Sequence, residues 1–133
     1  MIKASDSGNQ PGINSSLVEY SVFEYTNGPT RIDHGGGTGY TNGVDVHGGN
    51  GWEIRGSRFE NFHTPDDADQ RWKPAILVWN GAFDTIVEGN VFIDVEHAIA
   101  LGLVDRDHTG GMFRNNMIVT SKYLFSDAQL AIN

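Results

Sequence analysis

The chain has 133 residues, 38% of them hydrophobic, which suits one domain with a substantial core. Its 17 Asp plus Glu against 9 Lys plus Arg argue against nucleic acid as the main partner, because phosphate binding needs a basic surface. There is no Cys, which excludes disulfides and thiolate metal sites, and no apolar run approaches the ~20 residues of a membrane helix.

The start, "MIKASDSGNQPG", is polar and lacks the apolar core of a signal peptide. Two readings follow: no export by that route, or a leader not included here. Residues 1–14 read as a poorly ordered polar segment before a domain over 15–133. From Val18, "VEYSVF" has the apolar–polar pattern of short strands with one buried face. "TNGPTRIDHGGGTGYTN" then reads as a loop. Its Asp33 and His34 lie beside glycines, but it matches neither the phosphate-binding loop nor the dinucleotide fingerprint, and no helix follows.

"GVDVHGGNGWEIRGSRFENFH", residues 43 to 63, alternates apolar and polar positions twice. After the loop "HTPDDADQRWKP", "AILVWNGAFDTIVEGNVFIDVEH" over 75–97 nearly repeats it. "AIALGL", "DRDHTGG", "FRNNMI", the loop "SKYLFSDAQ" and "AIN" complete the chain. The shortest period, Ala75 to Ala98, is 23 residues. Strands repeated at this spacing and joined by Gly and Asn turns are the pattern of a β-solenoid, in which each coil templates the next.

Aligning the repeats predicts columns. One register starts at "GV" 43–44, "AI" 75–76, "AI" 98–99 and "AI" 131–132, placing Val44, Ile76 and Ile99 inside, then Val46, Val78 and Leu101. A second places Phe23, Phe59, Phe92 and Ile118 inside. Ser21, Ser57, Asn90 and Asn116 stack at a turn, and Glu19, Arg55, Glu88 and Arg114 stack outside with alternating sign. The competing architecture is a β-sandwich with coincidental strand similarity, since "NG" at 27–28, 42–43 and 80–81 could close hairpins.

Across residues 15 to 133, through "PAILVWNGAFDTIVEGNVFIDVEHAIALGL" and "DHTGGMFRNNMIV", the sequence resembles right-handed parallel β-helix proteins of the pectin lyase-like superfamily. The nearest likeness is to bacterial repeat proteins of mostly unassigned activity. The resemblance implies an all-β, short right-handed parallel β-helix of about four coils, either whole or part of a longer solenoid. It also implies an extracellular location and a carbohydrate cleft beside one row of turns.

Three insertions fall at equivalent turns. From Phe23 to Val44 is 21 positions, from Phe59 to Ile76 is 17, from Ile118 to Ile132 is 14, but from Phe92 to Ile99 only seven. Per-repeat insertions on one face often mark a binding face. On the strand that follows, Asp45, Leu77 and Ala100 point outward, then His47 and Trp79. An outward Trp79 suits stacking on a sugar ring, unless a loop covers it. Asp45 and His47 share a face as candidate catalytic acid and base, or are a solvated pair. Arg71 and Lys73 could hold a uronate carboxylate, or pair with Asp66, Asp67 and Asp69. Those carboxylates miss the calcium-loop spacing, so calcium is a weak candidate cofactor and no metal ligand is assigned. His63 is a further candidate for substrate binding; with His97 it begins equivalent turns, where capping is the alternative.

The functional expectation is a polysaccharide lyase- or glycoside hydrolase-like protein binding a glycan along the solenoid flank. The alternative is a non-catalytic carbohydrate-binding or structural segment that self-associates through open edges. The expected partners are a polysaccharide and, through those edges, a second copy of the chain; neither nucleic acid nor membrane is expected.

Overall fold

A computed structural model describes residues 1–5, 13–25, 42–63, 74–103, 105–120 and 129–132. Among these the structure is all strand and turn. The strands come in a recurring order. The first set is β1 (Ile2–Ala4), β2 (Leu17–Glu19) and β3 (Val22–Glu24). The second is β4 (Val44–His47), β5 (Glu53–Arg55) and β6 (Arg58–Glu60). Next come β7 (Ile76–Trp79), β8 (Ala82–Phe83), β9 (Ile86–Glu88) and β10 (Val91–Ile93). They are followed by β11 (His97–Leu101), β12 (His108–Thr109), β13 (Met112–Arg114) and β14 (Met117–Val119), and then by β15 (Gln129–Ile132).

Each set contributes one strand to each of three parallel sheets. Sheet A has the order β1-β4-β7-β11-β15, sheet B β13-β9-β5-β2 and sheet C β14-β10-β6-β3. A two-stranded sheet, β12-β8, lies between sheets A and B in chain order. Every ladder pairing is parallel, including Val44 with Ile76 and Ile76 with Ile99. This connectivity is compatible with a β-solenoid and rules out the hairpin pairing of the sandwich alternative.

The predicted columns form. Phe23, Phe59 and Phe92 stack with ring centroids 4.8 and 5.1 Å apart and planes 7° and 14° from parallel. Those separations match the spacing of adjacent strands, because each ring is carried on the next strand of the ladder. Val44, Val46, Ile76, Val78 and Ile99 are fully buried beside them, and Ile54 and Val87 continue the core under sheet B. Gly43 is required in this packing. A Cβ there would lie 2.9 Å from the Phe59 ring and 3.1 Å from the Ala75 carbonyl oxygen.

Between sheets B and C the chain turns sharply through one left-handed residue. Tyr20, Gly56, Gly89 and Asn115 hold this position with φ of 48°, 57°, 63° and 55°. The next residue builds a ladder of its own. The Ser21 amide donates to Ser57 Oγ at 3.2 Å, the Ser57 amide to Asn90 Oδ1 at 2.9 Å, and the Asn90 amide to Asn116 Oδ1 at 3.0 Å. Asn90 Nδ2 also donates to the Ile54 carbonyl at 2.8 Å, so this buried amide joins three rows. The outer charge column pairs Arg55 with Glu19 at 3.1 Å and Arg114 with Glu88 at 2.6 Å. Alternation turns in-register repulsion into attraction.

Four details differ from the sequence expectation. Ile2–Ala4, placed in the poorly ordered segment, form β1, because the open edge of β4 pairs with "IKA" in register. Leu130, Ala131 and Ile132 lie opposite Ile99, Ala100 and Leu101, two positions from the expected alignment on "AI". A two-residue slip preserves strand alternation, so the pattern alone could not exclude it. Ile118 ends the aromatic column 36% exposed, having no described strand beyond it. His97 starts a strand, not a turn, and its carbonyl accepts from the Ala75 amide.

Phe59→Ala and Phe92→Ala should each lower unfolding free energy by about 3–5 kcal/mol in denaturant titrations, as for other buried aromatics. Asn90→Ala should cost about 1–3 kcal/mol, since it strands the buried Ser57 amide. Asn116→Ala, on the outermost row, should cost less.

Candidate functional site

Strand alternation decides what faces outward from sheet A. Val44 and Val46 point into the core, so Asp45 and His47 point out; Val78 points in, so Trp79 points out. In the ladder His47 lies opposite Trp79, and Lys3 lies opposite Asp45. Three neighbouring strands thus deliver four side chains to one patch.

Asp45 is its centre. Trp79 Nε1 donates to Asp45 Oδ1 at 3.2 Å, and His47 Nε2 lies 3.2 Å from the same carboxylate. Lys3 Nζ approaches Asp45 Oδ2 at 3.6 Å. The Asp45 side chain has no exposed surface, whereas those of Lys3 and His47 are 42% and 18% exposed. A buried carboxylate needs such partners, since burying the charge alone costs several kcal/mol or more. Leu77 and Ala100, outward in the same column, are also buried. The Asp45–Leu77–Ala100 column of the outward face is therefore buried, and Asp45 is not a solvated carboxylate.

The aromatic part sits above. The His47 and Trp79 rings meet edge to face at 4.6 Å. The chain after β11 doubles back, with Leu103 and Arg106 exchanging backbone hydrogen bonds of 2.9 and 3.0 Å. This brings the Arg106 guanidinium over the indole, 5.1 Å from the ring centroid, in cation–π geometry. Trp79 stays half-buried, and Arg106 is exposed.

Asp45, His47 and Trp79 are thus brought together. The described contacts do not bring His63 to them; it is half-buried just after β6. Arg71 and Lys73 lie outside the described residues, as do Asp66, Asp67 and Asp69. So does most of each insertion, although the three connect β3 to β4, β6 to β7 and β14 to β15, always from sheet C to sheet A. Among the described residues no cluster of His, Asp and Glu could hold a metal ion.

Two members were missed in the sequence, Lys3 and Arg106. Lys3 had a signal: "MIKA" continues the column of "GVDV" and sets a cation against the Asp. Arg106 had none, because only the doubling back of its turn carries it to Trp79. A shallow polar cleft of about 500 Å³ lies elsewhere, lined by Ser15, Ser16, Leu17, Gly51, Glu53 and Arg55, and shares no residue with this patch.

His108 is a second buried polar group. It hydrogen-bonds Thr85 Oγ1 at 2.9 Å, and burial lowers its pKa below the ordinary imidazole value of 6.5 despite the nearby Asp84 charge. The folded state therefore favours neutral imidazole, while the unfolded chain takes up the proton near pH 6.5.

No family model, no curated protein and no solved structure matches this chain.

Asp45→Ala should lower unfolding free energy by about 1–3 kcal/mol, the range for losing charge-assisted hydrogen bonds. Asp45→Asn, which keeps an acceptor for the indole, should cost less. The stability supplied by neutral His108 should be complete above about pH 6.5 and decline as pH falls from there through its lowered folded value. Thermal melts across that window should show a shallower pH slope in His108→Gln.

Proposed function

We propose that the chain is a short right-handed parallel β-helix of about four coils, akin to the pectin lyase-like superfamily, that binds an acidic polysaccharide without cleaving it. The observation that carries this reading is the patch on sheet A: a half-buried indole flanked by His47 and Arg106 and fixed from beneath by the buried Asp45. Trp79 offers a sugar ring the part of its indole that His47 and Arg106 leave exposed. Arg106 and Lys3 offer cations to its carboxylate, Arg106 by a bidentate fork. Arg71, Lys73 and His63 are candidate contacts to the polymer on their sequence positions alone. Asp45 holds the indole and is a positioning residue.

The catalytic version, with Asp45 and His47 as acid and base of a lyase or hydrolase, needs a carboxylate that touches substrate. Asp45 is wholly buried and held by contacts to Lys3, His47 and Trp79, which favours binding over cleavage.

Both readings are open to one set of assays. Binding to polygalacturonate and to a neutral glucan should be measured by calorimetry, and product release followed with each. Preferential binding of the acidic polymer, lost in Trp79→Ala and weakened about tenfold or more in Arg106→Ala, with melting temperature held in Arg106→Ala because that side chain is exposed, supports the proposal. Turnover lost in Asp45→Asn would establish the enzyme instead. No binding to either polymer, without turnover, removes both for these substrate classes.

A further inference from the structure

The exposed apolar residues are not scattered. Ile2, Leu17, Val22, Met112, Met117, Ile118 and Val119 lie on β1, β2, β3, β13 or β14. Met1 precedes β1, Ile13 leads into β2, and Tyr20 is in the turn between β2 and β3. Of the exposed large hydrophobics among the described residues, only Phe83 lies elsewhere. Strands β2 and β3 form one edge of sheets B and C, and β13 and β14 form the other. The apolar surface is thus concentrated at the two ends of the stack, where backbone groups also face outward from the ladder.

The two ends match each other. The column positions of β2 and β3 recur in β13 and β14: Leu17 with Met112, Val18 with Phe113, Glu19 with Arg114, Val22 with Met117 and Phe23 with Ile118. Set one end upon the other, and four of these pairs are apolar on apolar. The fifth extends the outer column as Glu, Arg, Glu, Arg, Glu without a like-charge contact. The turn column joins too, because the Asn116 amide would face Ser21, as the Ser21 amide faces Ser57 within the chain. One register continues the two inward columns, through Val18 on Phe113 and Phe23 on Ile118, together with the charges and the turn.

We infer that this chain associates head to tail with a second copy of itself, β13 and β14 of one copy pairing in parallel with β2 and β3 of the next. This goes beyond the glycan reading and does not depend on it. The contact is heterologous, joining different surfaces, so it propagates into open stacks instead of closing into a symmetric dimer. It is also self-limiting in sheet A. There β15 already covers β11, and β1 of the incoming copy would need the same row. Each junction therefore forms with either β15 of one copy or β1 of the next released. Competition between these two short strands sets the strength of association.

Met117 and Val22 are 58% and 66% exposed, so charges there are tolerated by the isolated fold. Val22→Asp, Met117→Lys and the wild type should be compared by sedimentation velocity over a concentration series, alone and mixed. The wild type should self-associate. Each variant alone should associate about tenfold or more weakly, because a junction would set the introduced charge against an apolar side chain of the next copy. An equimolar mixture should recover association, since one kind of mixed junction sets the two introduced opposite charges against each other and the other kind joins the unaltered Met117 end of the Val22→Asp copy to the unaltered Val22 end of the Met117→Lys copy. Circular dichroism melts should confirm that both variants stay folded. A wild type that remains monomeric throughout, variants that associate as well as the wild type, or a mixture that fails to recover each overturns the inference.

Discussion

Everything in this structure depends on the in-register parallel pairing of each strand with its counterpart one repeat away. Parallel ladders translate the chain by one strand spacing and keep each side chain above its equivalent. Like must therefore tolerate like. Phenylalanines tolerate it by stacking, and the Phe23, Phe59 and Phe92 rings lie nearly parallel at the separation the backbone imposes. Asn and Ser tolerate it because each side chain accepts from the amide of the preceding row. Charges do not tolerate it, and the outer column alternates in sign.

The same constraint creates the patch on sheet A. Lys3, Asp45 and the row carrying Trp79 are neighbours because they occupy adjacent strands, although Lys3 and Trp79 are far apart in the chain. Two features then depart from simple repetition. Leu77 and Ala100 follow Asp45 in its column, so the carboxylate has no like charge above it. Arg106 arrives from a turn that belongs to no column and closes over the indole. The glycan proposal rests on these departures from the repeat, not on the repeat itself. The edges of sheets B and C pose the opposite problem. There the described ladders end, and apolar side chains meet solvent at Leu17, Val22, Met117 and Ile118.

Much of the fold was legible because period-2 alternation and a fixed repeat leave few arrangements for short strands. The inward columns, the Ser–Asn turn ladder, the alternating charges and the neighbourhood of His47 and Trp79 all follow from alignment of the repeats. Strand β1 fits that alignment, "MIKA" on "GVDV", but three residues carry too little pattern to stand out by themselves. The register of β15 was not legible, because a slip of two residues keeps every position on the same side of the strand.

What the sequence determined by itself is the order of the columns, since a parallel stack can satisfy its core, its turn amides and its charges together only when equivalent residues coincide. What the tertiary structure decided is the environment of each outward side chain. Asp45 and His47 look alike in sequence, two polar residues on one strand face. One is wholly buried, with Lys3 and Trp79 reaching it from the neighbouring rows, and the other stays partly exposed against the Trp79 ring. Burial is set by what packs across from a residue, and a strand's own alternation carries no information about that.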